Sequence, residues 1–338
     1  MSARDQTDKR AGRPKPGFDE IASRSHSAIV LGCGGGGDCI QAVPLANYLR
    51  RLGVEDICIG GVTARWWRRQ DQISLGTDIF SVGDLAPIDR VHEYAAFITP
   101  ETKAIRGEGK GKPLHEAGVA GVTGLPAMMI GLDGGVKGMV AGLKAVIEKR
   151  KADLLVVVDL GSDSFYTGHE ATILTPMTDA MSMAALNAID LPKVFALAGY
   201  GCDAEICLEE LEKNVAKVMR NGGYLGGYGL TQGDVADLGR VFEAIPNETV
   251  ETWPYRSAKG DIGVFACKRF WSVRSTPLAA VTMFFDCRVI CDVVNPFPDR
   301  LANSTSVAEA EKVFIDAGVI PESRLRKFIP LYENPEGV

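Results

Sequence analysis

The 338-residue sequence has no apolar run of the ~18 residues that a membrane-spanning helix requires, so no membrane partner is expected. Its opening stretch, MSARDQTDKRAGRPKPGFDEIASRS, lacks the hydrophobic segment of a signal peptide, and residues 1–26 read as a flexible tail. Positive charge is in deficit as well. Lys and Arg number 37 against 43 Asp and Glu, giving a net charge of −6, which leaves no electrostatic footprint for nucleic acid or an anionic surface. Eight cysteines are too sparse for a disulfide scaffold, and most sit in apolar runs such as EDICIGGV, VFACKRF and FFDCRVICDVV. Reduced thiols and a cytoplasmic location are the expectation. With five residues between Cys33 and Cys39 and four between Cys202 and Cys207, against the two to four of the usual structural zinc pair, the spacing is a weak metal signal, and these read as small buried side chains. Histidine is scarce too: of four, His26, His92 and His115 lie in tail or polar stretches, which leaves His169 as a candidate acid or base.

What is present is a core. Hydrophobic residues make up 46% of the chain, and they gather in β-branched runs at 28–32, 56–62, 95–99, 126–132, 153–161 and 193–199. Continuous rather than alternating hydrophobicity predicts strands buried on both faces, hence parallel strands covered by helices. Helical patterns fall between them at about 39–52, 135–150, 177–189 and 205–220, the last with Leu208, Leu211, Val215 and Val218 at helical spacing. The layout is α/β, a doubly wound, mostly parallel Rossmann-like sheet. Beyond residue 250 the texture turns aromatic and β-branched with a KGD turn signal, which predicts a hairpin or an antiparallel addition, followed by a helix at 305–318 capped by Ser306 and stopped by Gly318. Residues 27–330 are expected to form one domain, with a core at about 27–245 and the C-terminal addition at about 250–330.

The stretch IVLGCGGGGDCIQAV places Gly34, Gly35, Gly36, Gly37 and Asp38 between the first strand and a helix. A glycine loop at a helix N-terminus can offer backbone N–H groups to an anion without Cβ obstruction. The motif is neither a Walker loop nor a convincing dinucleotide fingerprint, and a tight turn with nothing bound is the competing reading. Other predicted strand ends carry similar residues: Thr63 after the second, Thr99 after the third, and Asp133, Gly134 and Gly135 after the fourth. Asp159 and Asp163 follow the fifth, with His169 and Glu170 beyond them, and Asp203 and Glu205 follow the sixth. If all six runs are parallel, these loops share one edge and converge in one crevice.

These residues resemble the DUF1152 family, a domain of unknown function, from about residue 28 to 318. The resemblance is carried by GCGGGGDCIQAVPLANYLRRLGVEDICIGGVT, ITPET, LDGGVKG, VDLGSDSFYTGHE, TPMTDAMSMAAL, GYGCDAE and TPLAAVTMFFD. It implies an α/β fold and no agreed reaction. The family pattern has GGD where this chain reads Gly161-Ser162-Asp163, and a small apolar residue at Cys39. Neither change touches the carboxylates, and the second speaks against a cysteine role.

So many carboxylates, with Lys137 and Arg65 the main basic residues in the same motifs, point toward a cation. Magnesium held by Asp159 and Asp163, with ligand phosphates on the glycine loop, would explain both features. Asp38 and Asp203 equally suit helix caps. Asp159, Asp163, His169 and Glu170 are the catalytic candidates. Three readings stand. One is an enzyme of phosphoryl transfer or hydrolysis acting on a phosphorylated or nucleotide-like small molecule. The second is a lyase or cyclase for an amino-acid-like carboxylate, and the third a nucleotide-binding sensor without turnover. Trp66 and Trp67 among arginines in ARWWRRQ could form a stacking, phosphate-binding lid but read rather as a protomer contact or a solvated segment, which makes a homo-oligomer a candidate assembly, and IRGEGKGKP reads as a loop near the site.

Overall fold

The computed structural model describes residues 15–35, 37–65, 77–107, 109–170, 172–245, 250–268 and 271–325. Gly36, the Trp66–Trp67 pair, residues 1–14 of the expected tail and residues 326–330 of the expected domain lie outside them. Among the described residues no helix is long and apolar enough to cross a membrane.

The strands follow the apolar runs. β1 (Ser27–Gly32) and β2 (Asp56–Val62) precede two short pieces, β3 (Ala64–Arg65) and β4 (Asp78–Ile79). Then come β5 (Leu85–His92), β6 (Ala95–Ala104), β7 (Ala127–Ile130), β8 (Leu154–Leu160), β9 (Lys193–Ala198) and β10 (Tyr224–Gly229). A hairpin of β11 (Gly263–Lys268) and β12 (Trp271–Ser275) precedes β13 (Val281–Phe285). Nine of these strands form one sheet in the order β10-β13-β9-β8-β1-β2-β7-β6-β5. The five central ones, β9, β8, β1, β2 and β7, are parallel. Chain order reverses between β1 and β8, which places the switch point there.

Helices cover both faces. α1 (Phe18–Ala22), α2 (Ala42–Arg51), α3 (His115–Thr123) and α7 (Gln232–Ala244) pack on Val30, Ile59, Val156 and Ala196. α4 (Gly135–Arg150), α5 (Pro176–Ala188) and α6 (Leu208–Arg220) pack on Ile29, Leu31, Val157 and Phe195. After α8 (Trp253–Ala258), the last three, α9 (Cys287–Val293), α10 (Phe297–Leu301) and α11 (Val307–Asp316), join this second layer. Alternate residues of one strand therefore feed opposite cores, which is why the central runs read as continuously apolar.

Two expectations change. The run at 95–99 is a strand, but a two-residue turn at Glu93–Tyr94 makes β6 antiparallel to β5, and it is antiparallel to β7 as well. Pairing of Ala95 with Ile130 sets the start of β6 at the carboxyl end of β7. Thr99 therefore points down toward the opposite edge of the sheet, where its N–H donates to Thr102 Oγ1. Second, part of the segment read as a tail is ordered: Phe18 of α1 stacks on Phe284 with centroids 3.7 Å apart. The C-terminal addition, by contrast, takes both forms offered for it. β11 and β12 are a hairpin outside the main sheet, while β13 joins that sheet antiparallel to β9.

At α11 the expected caps are in place. Ser306 Oγ accepts the Glu309 N–H at 3.3 Å, and Gly318 adopts φ +78° just past the helix. Ser306→Ala is expected to lower stability by about 1 kcal/mol, measured by urea unfolding.

Candidate functional site

Loops from both sides of the switch point meet above β1 and β8. After β1 the chain runs through Cys33 and the glycines into a 3₁₀ turn at Asp38–Gln41, and the Gly34 N–H donates to Asp38 Oδ2 at 2.5 Å. Asp159 is the penultimate residue of β8, and beyond the strand Asp163 opens another 3₁₀ turn, whose Ser164 N–H reaches Asp159 Oδ2 at 3.4 Å. Gly161 at φ +131° allows Asp203, from the loop after β9, to sit where a Cβ would stand. There Asp203 accepts from the Ser162 N–H at 2.9 Å and the Ser162 hydroxyl at 2.7 Å. Glu205 accepts the N–H groups of Leu174 and Thr175 at 2.6 and 2.9 Å. The Thr175 hydroxyl lies between Asp163 Oδ2 and Glu205 Oε1, at 2.6 and 2.9 Å.

A residue not singled out in the sequence completes the set. Asp179, in the first turn of α5, is 2% exposed, and its Oδ1 has no hydrogen-bond partner. Its environment of Met, Ala and Ser side chains reads as helix packing, and the one local signal was a carboxylate inside that small-residue stretch. Two triads result. Oxygens of Asp38, Asp159 and Asp179 lie within 4.8 Å of one another, as do those of Asp163, Asp203 and Glu205. The expected metal pair is thus divided between triads, although Asp159 still acts electrostatically on Asp163 and raises its carboxyl.

Burial drives the electrostatics. It pushes the carboxyls of Asp38, Asp159, Asp163, Asp179 and Glu205 well above the ordinary range, and neighbouring carboxylates push them further. Burial also raises Asp203, to about 6, against the opposing hydrogen bonds from Ser162. Basic compensation is thin. Among the described residues Arg65 is the one Lys or Arg that is buried, and it pairs with the buried Glu116 at 3.3 Å. Desolvation likewise raises the thiols of Cys33 and Cys39, as fits inert core residues.

The other candidates have local work. Thr63 Oγ1 accepts the Leu132 N–H at 3.0 Å and ties the loop after β7 to β2. Asp133 is exposed, and its charged neighbours are Glu93 and Asp84 rather than the triads. Gly134 and Gly135 are packing positions: a Cβ would meet the Tyr94 ring at one and the Ser304 backbone at the other, within 2.5 and 2.6 Å. Glu170 closes its own turn by accepting from Thr167 N–H and hydroxyl and from the N–H of His169, whose side chain is exposed. Lys137 is exposed.

The glycine loop serves two purposes. A Cβ on Gly35 would lie 2.5 Å from the Ala64 Cβ, and one on Gly37 would run into the Glu251 side chain, so these two permit close packing. Gly34 alone of the described three faces the carboxylates. Gly35→Ala and Gly37→Ala are each expected to cost about 1–3 kcal/mol in thermal unfolding, whatever they do to ligand binding.

The fold and site together define a doubly wound α/β protein with two clusters of largely buried carboxylates at its switch point. A family model described as protein of unknown function (DUF1152) matches residues 29–327, and the chain belongs to that family. No curated protein matches it.

Proposed function

We propose that the protein is a divalent-cation-dependent enzyme of phosphoryl transfer or hydrolysis, acting on a phosphorylated or nucleotide-like small molecule. One observation carries this reading: five buried carboxylates and the half-buried Asp38 meet at the switch point, and among the described residues no matching set of buried basic side chains accompanies them. Such a crowd costs several kcal/mol when uncompensated, and a bound cation removes that cost while presenting open coordination positions to an anionic ligand. The ligand then reaches the site through the metal. The glycine loop does not cradle it alone, because the Gly34 N–H is already taken by Asp38.

A second reading has its own support. The N–H groups of Gly34, Ser162, Ser164, Leu174 and Thr175 are all directed to the chain's own carboxylates. An acidic pocket with few free donors also suits a substrate ammonium, as in a lyase or cyclase acting on an amino-acid-like compound. Thermal-shift screening of sugar phosphates, nucleotides and amino acids, with and without magnesium, separates the two. Stabilisation by a phosphorylated compound that needs magnesium, with product seen by mass spectrometry, supports the first. Equal stabilisation without magnesium favours the second, and binding without product identifies a sensor.

A further inference from the structure

We infer that Asp38, Asp159 and Asp179 bind one hard divalent cation of the magnesium or manganese class, with Asp179 as the decisive ligand. This rests on the cation-dependent reading above and fixes where the cation sits: on this triad, and not between Asp159 and Asp163.

The three carboxylates come from three separate elements, the loop after β1, the end of β8 and the first turn of α5, so they surround a point instead of lining a surface. Their oxygens lie within 4.8 Å of one another. A trans pair of ligands about 2.1 Å from a magnesium ion is about 4.2 Å apart and an evenly spaced trio about 3.6 Å, so side-chain rotation that draws the triad inward lets one ion span it.

Two observations independent of the acidity point to a ligand. Asp179 is 2% exposed, yet its Oδ1 accepts no hydrogen bond. A buried carboxylate oxygen left without a donor is costly, and a cation at that place would complete it. The second is the opening at Gly34. An ideal Cβ there lies 3.0 Å from both Asp179 oxygens and 3.0 Å from Asp38 Oδ2, so any side chain would occupy the space between these ligands. Glycine keeps that space clear.

The other triad differs in this respect. Asp203 is held by Ser162, Glu205 by the N–H groups of Leu174 and Thr175, and Asp163 by the Thr175 hydroxyl. These residues are positioning groups. Asp163 in particular accepts from the Thr175 hydroxyl at 2.6 Å and lies beside Asp159, whose charge raises its carboxyl further. Three carboxylates on an octahedral ion leave positions for water and for a phosphate or carboxylate oxygen of the ligand.

The test is a manganese titration of the full chain without substrate, followed by the electron paramagnetic resonance of free Mn²⁺. One ion should bind per chain, and magnesium should displace it. Asp179→Asn should weaken binding by roughly 100-fold or more, whereas Glu205→Gln, which hydrogen-bonds to none of the three ligands, should change it by less than about tenfold. Gly34→Ala should weaken binding while circular dichroism shows the fold retained. If Asp179→Asn does not fold, Asp38→Asn decides by the same criterion. Absence of binding by the unaltered chain, wild-type affinity in Asp179→Asn, or an equal loss in Glu205→Gln would overturn the assignment. Because no substrate is present, a chain that binds manganese but turns nothing over refutes the enzymatic reading and leaves the site standing.

Discussion

Without a divalent cation, the protein is expected to melt at progressively lower temperature as the pH rises from about 4 to above 6, the reverse of ordinary acid denaturation. The cause is the set of carboxyls whose folded-state pKa values lie above their unfolded ones. Each binds its proton more tightly in the folded chain, so its contribution is fully present below the unfolded value and is lost as pH rises through the folded one. For Asp203 that window runs from 3.8 to about 6. Asp38, Asp159, Asp163, Asp179 and Glu205 are shifted in the same direction, so the decline continues beyond it. Below the window the opposite groups dominate. Asp234 and Asp299 are lowered in the fold by partners that include Thr231 and Arg288, and their support is lost as pH falls. Stability without metal should therefore peak in mildly acid solution. Saturating magnesium should move that peak toward neutrality and raise the pH 7.5 melting temperature by roughly 5–10 °C. A metal-free protein whose melting temperature rises steadily from pH 4 to 7.5 would show that the crevice carboxylates are compensated by something other than a cation.

The central sheet was legible in the sequence because β1, β2, β7, β8 and β9 are buried on both faces, and that burial leaves continuous apolar runs. Direction leaves no such trace. The run at Ala95–Thr99 looks like its neighbours, and only the Glu93–Tyr94 turn and the polar edge strand β5 reverse it, which carried Thr99 away from the site. Asp38, Asp159, Asp163, Asp203 and Glu205 were found because a strand end followed by a carboxylate is a local pattern. Asp179 was missed because it reaches the crevice from inside a helix, and its role depends on how α5 lies against the loop after β1. The division into two triads is equally tertiary: Asp159 and Asp163 are four residues apart, yet a 3₁₀ turn sends them to different groups. The glycines were half legible. Their smallness announced a close approach, but whether the approaching group is Ala64, Glu251 or a ligand depends on the fold.

Asp179→Asn is expected to stabilise the metal-free protein at pH 7.5 while removing its cation affinity. In the unliganded chain the Asp179 carboxylate is buried, faces Asp38, Asp159 and Asp163, and has one oxygen with no donor. The amide keeps the shape, removes one of several like charges and supplies two N–H groups that a neighbouring carboxylate can accept. Relief of that repulsion and desolvation should be worth about 1–3 kcal/mol, seen as a melting temperature raised by several degrees. Asp234→Asn is the contrasting control. Asp234 is just as buried, but its carboxylate accepts from the Thr231 N–H at 2.8 Å, the Thr231 hydroxyl at 2.6 Å and Asn47 at 3.0 Å, so the same change should destabilise. With saturating manganese the order at position 179 should reverse, because only the wild-type chain gains binding free energy in the folded state. Stabilisation on losing a charge, reversed by metal, is the mark of a carboxylate kept for a ligand at the expense of stability. A lower melting temperature for metal-free Asp179→Asn would mean that the carboxylate is satisfied within the fold and that Asp179 is a structural residue.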